Sequence, residues 1–410
     1  MFRKECLSCK SPDLREIVNL GMHPMADTFI PADRLDEGDR VYPLICDLCA
    51  RCGQVQLRTV TNPAERYAEY DYSYTSSNSK TSQNHWMEYA ATVAGMIGLR
   101  SGDAVVEAGS NDGFLTEQFQ KLGCVSLGVD PSPAMARFAK ERGVNTYAGL
   151  FGQATAGAVE KALGQKPRLI AANNVFNHAN EPLDFALGVK ALLAPGGVFV
   201  FELPYWMQSV TQRKFDQIYH EHVSYLTVTS AVNLFRQAGL HVNHVEEVDY
   251  HGGSIRVFVG HEPSALTAKT PGPAVAQFME KEKQAGLFDP AAYQVFMREI
   301  QASRNRFLRE IYRLKVEGTA IVCVGAAAKG NTFLSYYNLD ASVIDCVTDS
   351  SPSKIGKYTP RTRIPICPDQ KLADYEAVHA IILSWNISAP LQNILKKINP
   401  RILFLNPYES

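Results

Sequence analysis

The middle of the chain alternates between short apolar runs and segments with helical spacing of apolar residues. The runs Ala104–Ala108, Val125–Asp130, Arg168–Asn173 and Val198–Leu203 each have the length of a buried strand. A helical segment, Gly113–Leu122, separates the first run from the second. Strands that alternate with helices at this spacing are typical of a parallel sheet covered by helices. We therefore predict an α/β fold for this part of the chain.

The pattern changes towards both ends of the chain. Residues 1–66 show little helical periodicity and are rich in cysteine, proline and turn residues, which predicts a small module held together by a metal. Residues 273–316 are polar and helix-forming, which predicts a pair of connecting helices. A second α/β unit follows, with strands predicted at Ala320–Gly325, Ser342–Thr348, Ala377–Ser384 and Ile402–Leu405.

The charge balance argues against several classes of partner. The chain has 41 basic and 42 acidic residues and a formal net charge of −1, whereas general nucleic-acid binders carry a basic excess. No apolar run reaches the roughly 18 residues of a membrane-spanning helix, and the first residues lack the apolar segment of a signal peptide. We expect a cytoplasmic protein, a monomer or homodimer, without nucleic-acid or membrane partners.

Five of the nine cysteines lie in the first 52 residues, in a pattern that indicates zinc. Two Cys-x-x-Cys turns about forty residues apart supply the four thiolates of a closed, structural site. Cys46 stands three residues before Cys49, so this pair is an alternative to Cys49 and Cys52; Gly53 favours the second pair because a knuckle needs a tight backbone. The predicted Zn²⁺ ligands are Cys6, Cys9, Cys49 and Cys52.

A glycine-containing turn follows the first predicted strand, in the sequence Glu107-Ala-Gly-Ser-Asn-Asp-Gly113, and Asp130 ends the next strand. Glycines there let a ligand approach the backbone, and an acidic residue about twenty positions on binds ribose hydroxyls. Carboxylates at this turn repel a pyrophosphate but suit the ammonium and sulfonium groups of S-adenosylmethionine (SAM). We therefore predict SAM as the ligand in preference to NAD, bound by Glu107, Gly109, Ser110, Asp112, Gly113, Asp130 and Asn173.

Histidines cluster beyond the ends of two predicted strands. His178 follows the Asn173 strand, and Tyr219-His-Glu-His222 follows Val198–Leu203. Histidine suits acid–base chemistry near neutral pH, but His220 and His222 could instead bind a metal, and each could be a structural core histidine. Further candidates for lining the cleft are His251 and Ser254, and a Tyr/Ser-rich segment with Tyr72 and Tyr74, which is either a lid or an aromatic contact to the zinc module.

The motifs together resemble one enzyme family. In chain order they are the paired cysteine turns, Tyr72-x-Tyr74-x-Ser76, the Glu107–Gly113 turn, Asn173-Asn-Val-x-x-His178, Tyr219-His-Glu-His222, His251-Gly-Gly-Ser254 and Gly325-Ala-x-Ala-Lys329-Gly-Asn-Thr332. This series resembles the SAM-dependent sugar C-methyltransferases, such as the deoxysugar C-3′-methyltransferases of antibiotic pathways. The resemblance spans essentially the whole chain.

The resemblance implies three parts: a zinc-binding module (1–66), a class I SAM-methyltransferase core with a Rossmann-like fold (67–265), and a C-terminal Rossmann-like domain with connecting helices (266–410) that holds a nucleotide-linked sugar. It implies that His222 is the base, that Tyr219 and Glu221 orient it or the sugar, and that His178 steadies an enolate oxygen. In the C-terminal turn, backbone N–H groups, Lys329 and Asn331 are expected to cradle a diphosphate.

Three other functions remain possible from the sequence alone. The enzyme could methylate oxygen or nitrogen of another small molecule, or the chain could be a non-catalytic zinc- and SAM-binding protein. An NAD site at Gly325 would need an acidic partner about twenty residues further on, where the chain offers Asp345 and Asp349. The identity of the sugar, the nucleotide and the methylated carbon cannot be inferred from these motifs.

Overall fold

The computed structural model describes residues 2–62, 75–77, 79–262 and 273–408. Among these residues the strands form three sheets of four, seven and five strands. In this part of the chain, no helix is both long and apolar enough to span a bilayer. The α/β architecture predicted from the sequence is confirmed, with one sheet in each of the three parts.

The N-terminal part is an antiparallel sheet, which the sequence pattern did not predict. Its strands are β1 (Leu14–Pro24), β2 (Val41–Cys49) and β3 (Val55–Leu57). A fourth strand, β9 (Ser224–Tyr225), comes from the middle part and pairs with β3. The N-terminal module is therefore joined to the middle part by backbone hydrogen bonds, directly after the His222 motif.

The middle part is a seven-stranded sheet in the order β10-β11-β8-β7-β4-β5-β6. Strands β4 to β8 are parallel. Strand β11 pairs antiparallel with β8, and β10 pairs antiparallel with β11. In chain order, the elements are α1 (Lys80–Ile97), β4 (Ala104–Ala108), α2 (Phe114–Lys121), β5 (Val125–Asp130), α3 (Pro133–Glu141), β6 (Thr146–Ala148), α4 (Gln153–Leu163), β7 (Leu169–Asn173), α5 (Pro182–Leu192), β8 (Val198–Pro204), α6 (Trp206–Thr211), α7 (Val228–Gln237), β10 (His241–Val248) and β11 (Ser254–Gly260).

Helices cover both faces of this sheet, which explains its continuous apolar strands. Val106 packs in a cluster with residues of α4, α5 and α7, whereas its neighbour Val105 packs with residues of α1 and α2. Successive side chains of a strand point to opposite faces, so both must be apolar when both faces are buried. Every residue of β4 is accordingly buried.

The C-terminal part has a five-stranded, all-parallel sheet in the order β14-β13-β12-β15-β16. The predicted connecting helices are confirmed. The strand predicted at Ser342–Thr348 begins only at Val347, because the Asp340 side chain accepts hydrogen bonds from Ser342 and closes a turn there. The elements are α8 (Pro273–Gln284), α9 (Pro290–Val316), β12 (Ile321–Val324), α10 (Ala328–Tyr337), β13 (Val347–Asp349), β14 (Ile366–Pro368), β15 (Val378–Ile382), α11 (Ser388–Ile398) and β16 (Ile402–Leu405).

Contacts between the parts bring the loop before β9 against the C-terminal unit. Thr332 on α10 donates a hydrogen bond to the carbonyl of Ile218 at 3.2 Å, and the Trp385 indole N–H donates to Asp216 at 2.6 Å. One apolar cluster contains residues of the N-terminal sheet, of α9 and of the C-terminal sheet. The His222 loop therefore lies between the middle and C-terminal units.

Candidate active site

The turn after β4 has a backbone that only glycine accommodates. Gly109 has φ +70°, and a Cβ atom there would lie 2.3 Å from Cγ2 of Val175. Gly113 has φ +76°, and a Cβ atom there would lie 2.9 Å from the Cβ of Ala139. The sequence pattern that predicted a close backbone approach at this turn thus corresponds to a tightly packed αL turn in front of α2.

Two buried carboxyl groups flank this turn. Glu107 accepts a hydrogen bond from the Thr116 hydroxyl, and burial raises its pKa to about 8. Asp130, at the end of β5, accepts hydrogen bonds from the backbone N–H groups of Asn111 and Ser132, each at 2.9 Å, and burial raises its pKa as well. A cationic ligand would stabilise the ionised form of both groups, so the residues present fit the ammonium and sulfonium of SAM.

Buried polar atoms near the strand ends also fit a ligand. Ser110 Oγ, beside the turn, has no hydrogen-bond partner among the described residues, and neither do Asn174 Nδ2 and Asn177 Oδ1. Asn174 directly follows Asn173 at the end of β7 and has φ +53°. Buried polar groups are nearly always paired, so these atoms are available to groups of a bound molecule.

Asp112 connects the turn to the segment that precedes α1. It accepts hydrogen bonds from the hydroxyls of Ser76, at 2.5 Å, and Ser77, and lies 3.4 Å from Arg142 Nη2. Asp112 is therefore engaged by protein groups, and its predicted contact with SAM stays a prediction. Tyr72 and Tyr74, which the sequence predicted in a lid or in an aromatic contact to the zinc module, lie outside the described residues.

His222 is held as a neutral imidazole with one defined tautomer. Its Nδ1 lies 3.0 Å from the carbonyl oxygen of Gln217, which can only accept a hydrogen bond, so Nδ1 carries the proton. Its Nε2 then accepts from the Tyr219 hydroxyl at 2.5 Å. Burial lowers the pKa of His222 to about 3. The ring of His178 lies 4.8 Å away, edge to face, so the structure brings three of the four predicted catalytic residues together.

The fourth, Glu221, faces the N-terminal module. Its Oε1 accepts a hydrogen bond from the backbone N–H of Asp27 at 2.9 Å. His220 is buried beside the carbonyl oxygens of Pro24 and Pro43 and the ring of Tyr42. The alternative metal site at His220 and His222 finds no third ligand, because the cysteine group described below is the one metal-binding cluster among the described residues.

Four of the predicted substrate-binding residues are among those described, and His251 is joined to the His222 loop because the Gln217 side-chain amide donates to its carbonyl oxygen at 3.1 Å. His251 has φ +52°, and burial lowers its pKa to about 3. The Lys329 amine donates to Asn386 and lies 4.3 Å from the centre of the Trp385 ring. Ser254 donates to the carbonyl of Tyr250 at 2.9 Å, and Asn331 donates to the carbonyl of Ala26 at 2.6 Å. Their contacts with a substrate stay predictions.

Sequence reasoning missed a buried charge cluster at the end of β8. Glu202 is fully buried; its Oε1 lies 2.6 Å from His85 Nε2, and its Oε2 accepts two hydrogen bonds from Arg256 at 3.0 and 3.1 Å. The His85 ring stacks on Tyr250 with ring centres 3.7 Å apart. A carboxylate inside the apolar run Val198–Leu203 was the available signal, because a buried charge needs a partner.

The turn after β12 in the C-terminal unit repeats the arrangement seen at Asp130. Gly325 has φ +86°, and Asp349 at the end of β13 accepts from the backbone N–H of Ala326 at 2.6 Å and of Ser351 at 2.7 Å. This is the acidic partner that the sequence left open between Asp345 and Asp349. Each parallel sheet thus ends in a glycine turn paired with an aspartate on the neighbouring strand.

The four predicted zinc ligands converge. Their Sγ atoms all lie within 4.8 Å of one another, with Cys6 and Cys52 at 3.5 Å and Cys9 and Cys49 at 3.6 Å. Sulfur atoms around a tetrahedral Zn²⁺ with Zn–S bonds of about 2.3 Å lie about 3.8 Å apart, so the cluster fits the ion. Cys46 packs in the apolar core instead, which confirms Cys52 as the fourth predicted ligand.

Comparisons with known proteins match all three parts. A family described as a putative zinc binding domain matches residues 6–67, a methyltransferase domain matches 83–245, and a C-methyltransferase C-terminal domain matches 249–401. The chain is 32% identical to C-methyltransferase NovU of Streptomyces niveus over 383 residues, which are 93% of this chain and 90% of NovU.

Two solved structures that resemble this chain each cover half of it or less. The complex between the Haloferax volcanii Trm112 methyltransferase activator and a putative methyltransferase is 15% identical, with 50% of this chain and 99% of that chain covered and a TM-score of 0.36. Magnesium protoporphyrin IX methyltransferase of Synechocystis PCC 6803 with bound SAH is 13% identical. The match covers 44% of this chain and 83% of that chain, with a TM-score of 0.36.

Proposed function

The chain belongs to the SAM-dependent C-methyltransferases, and from this we propose that it methylates the carbon next to the keto group of a nucleotide-linked deoxysugar. The observation that carries the proposal is the buried Tyr219–His222 pair between the two parallel units, with a neutral imidazole whose Nε2 carries a lone pair. A carbon atom becomes a nucleophile only after losing a proton, so a C-methyltransferase needs such a base.

His222 is the proposed base. The Tyr219 hydroxyl must turn away from Nε2 when the substrate binds, because Nε2 has one lone pair. Nε2 then takes the proton from the carbon next to the carbonyl, and the electrons of the broken C–H bond move to the keto oxygen to give an enolate. SAM, when bound, would supply an electrophilic methyl group on a positively charged sulfur. The electron pair of the enolate would form the new carbon–carbon bond while the methyl–sulfur bond breaks and its electrons neutralise the sulfur, giving S-adenosylhomocysteine. The proton then leaves His222 for solvent. Burial keeps His222 unprotonated at neutral pH, because its pKa is lowered to about 3.

Neighbouring groups hold this base and meet the developing charge. Tyr219 donates to Nε2 and Gln217 accepts from Nδ1, so the ring plane and tautomer are fixed before substrate arrives. Glu221, tied to Asp27 of the zinc module, orients the loop or a sugar hydroxyl. His178, 4.8 Å from His222, is placed to steady the enolate oxygen.

The donor site is proposed at the glycine turn after β4. Glu107 and Asp112 would hold the ammonium group of the methionine moiety, and Asp130 would accept from the ribose hydroxyls with the lone pairs that its two backbone partners leave free. Gly109, Ser110, Gly113 and Asn173 complete the wall of the site. The two high-pKa carboxyl groups favour a cation at this position.

The nucleotide part of the substrate is assigned to the C-terminal unit. The Gly325 turn and Asp349 reproduce the nucleoside-binding arrangement of the donor site, and Lys354 lies at the same turn, with its amine 2.7 Å from the carbonyl oxygen of Ala326. A glycine turn before a helix with a lysine beside it suits a diphosphate. A cleft between two such units would place the sugar next to His222.

The first test replaces His222 with alanine in the full, zinc-loaded chain. Labelled SAM and a panel of nucleotide-linked keto-deoxysugars are incubated with the protein, and products are identified by mass spectrometry. We expect labelled C-methyl sugar from the wild type, a loss of at least ~10²-fold in His222→Ala, and a SAM affinity within twofold by calorimetry. His241→Ala, at the exposed start of β10, is the matched control. A wild type that labels no keto sugar, or an active His222→Ala enzyme, contradicts the proposal.

A further inference from the structure

Lys329 carries a half-buried charge that no carboxylate contacts directly. Its ammonium donates to the amide oxygen of Asn386 and lies over the Trp385 ring at 4.3 Å, and it forms no ion pair with a carboxylate of the described residues. A partly buried ammonium favours negative charge nearby. Lys329 is therefore suited to meet an anionic group of a substrate.

The charged groups that act on Lys329 come from the segment before the His222 motif. Asp216 acts on it from the loop before the His222 motif, but this carboxylate already accepts from the Trp385 indole. Lys214 lies 4.7 Å from the centre of the same ring. The Trp385 ring, over which Lys329 lies, packs against Gly252, the residue after His251. The Gln217 side-chain amide donates to the His251 carbonyl at 3.1 Å, and the Gln217 carbonyl holds His222. Lys329 thus lies where the C-terminal unit meets the loops that carry His222 and His251.

The glycine turn of the C-terminal unit has a different lysine. The Lys354 amine donates to the carbonyl oxygen of Ala326 in that turn, whereas the Lys329 amine is directed to Asn386 and Trp385, which follow β15. The sequence pattern predicted Lys329 in the diphosphate cradle, and that role stays a prediction. Its contacts with Asn386 and Trp385 favour a second role, nearer the His222 loop.

We propose that Lys329 is a catalytic residue whose ammonium stabilises the negative charge on the keto oxygen when His222 removes the neighbouring proton. This rests on the proposed function. The C–H electron pair moves to the oxygen, Lys329 stays protonated and donates a hydrogen bond to it, and the pair returns to carbon when the methyl group is transferred. A fixed positive group at a site of developing charge lowers the barrier because it needs no reorganisation.

The proposal has a pH signature. Burial lowers the pKa of Lys329 to about 8, with Asp216 opposing and Lys214 adding to this effect. The ammonium is present below that pH and is lost as the pH rises through it, so enolate formation should decline above about pH 8. Arginine stays charged over this range, and Lys329→Arg should move the decline to higher pH.

The test measures enolate formation without methyl transfer. With S-adenosylhomocysteine in place of SAM, exchange of the proton next to the keto group into D₂O is followed by NMR for dTDP-, CDP- and GDP-linked 4-keto-6-deoxy sugars. We expect Lys329→Met to slow exchange by ~10²–10³-fold and to bind the matching nucleoside diphosphate alone within twofold of wild type. Lys396→Met, which removes an exposed lysine over Phe404 in the same unit, should exchange like wild type.

Each outcome has a separate meaning. If Lys329→Met exchanges the proton as fast as wild type, the role at the keto oxygen is overturned. It is also overturned if the exchange rate of Lys329→Arg declines above pH 8 as that of wild type does. Lys329→Met that loses nucleoside diphosphate affinity, with exchange falling only in proportion, shows the diphosphate role instead. A wild type that exchanges no sugar of the panel, while binding S-adenosylhomocysteine, overturns the proposed function itself.

Discussion

Single residues at the centre of this protein share one electrostatic property: burial favours their neutral forms. The pKa values of Glu107 and Asp130 are raised, and those of His222, His251 and Lys329 are lowered, in each case with burial as the largest cause. A site that disfavours charge on both acids and bases has little water, so charges brought by ligands act strongly there. The proposed reaction, with a cationic donor and an anionic enolate, uses this property.

Glu202 gives a prediction at the same scale. Its carboxylate is fully buried between Arg256 and His85. Glu202→Gln keeps the shape but leaves Arg256 without this counter-charge, and we expect a loss of about 3 kcal/mol in the free energy of unfolding, measured by urea denaturation. Glu246, 3.6 Å from the same arginine, has a side chain that is 31% exposed, so Glu246→Gln should cost less than about 1 kcal/mol. Equal losses would show that Arg256 does not depend on Glu202.

The residues that sequence reasoning found and those that it missed differ in how they are brought together. The glycine turn and Asp130 stand at the ends of neighbouring strands β4 and β5, and the Asn111 N–H of the turn donates to Asp130, so their pairing follows from local spacing. Glu202 and His85 are 117 residues apart, and Trp385 and Asp216 are 169 apart. Such pairs form only when whole helices and strands pack together, and a short sequence motif does not contain that information.

At the scale of elements, helix α7 has an unusual start that makes a second prediction. Glu282 of α8 is buried and accepts hydrogen bonds from the N–H groups of Val228 and Thr229, from the Thr229 hydroxyl and from the Tyr205 hydroxyl. The first N–H groups of a helix lack partners within it and favour a negative charge. We expect Glu282→Ala to lower the free energy of unfolding by about 3 kcal/mol.

The control for this prediction lies on the same helix. Glu280 is exposed and accepts only from Gln284 among the described residues, so Glu280→Ala should change stability by less than about 0.5 kcal/mol. Circular dichroism during urea unfolding measures both variants. If the two variants lose equal stability, Glu282 does not hold the start of α7.

Helices and strands could be predicted from the sequence where their burial leaves a regular pattern of apolar residues. Strands β4 and β5 have the predicted bounds because all of β4 and the last four residues of β5 are buried, and their runs are mostly apolar. The long β1–β2 pair escaped prediction, because its exposed and buried positions alternate irregularly and its register shifts twice. Strand β9 has two residues and exists because β3 lies beside it.

The whole molecule depends on its N-terminal module more than a separate zinc domain would. Strand β3 pairs with β9 directly after the His222 motif. The backbone N–H of Asp27 donates a hydrogen bond to Glu221. The carbonyl oxygen of Ala26 accepts one from the Asn331 side chain of the C-terminal unit. The module therefore contacts both units that form the cleft. Its loss should affect catalysis more than binding of SAM, since the donor turn after β4 lies within the middle sheet.

Replacing one zinc ligand tests this dependence. Cys52→Ser leaves three of the four converging thiolates, and because structural zinc contributes directly to folding, we expect loss of the single zinc ion by elemental analysis, a lower melting temperature and strongly reduced methyl transfer. SAM affinity by calorimetry should fall much less. Cys46→Ala, in the apolar core beside the module, should keep its zinc and cost about 1 kcal/mol. A Cys52→Ser protein that retains zinc would mean that Cys46 had become the fourth ligand, because it has the same spacing from Cys49 on the other side.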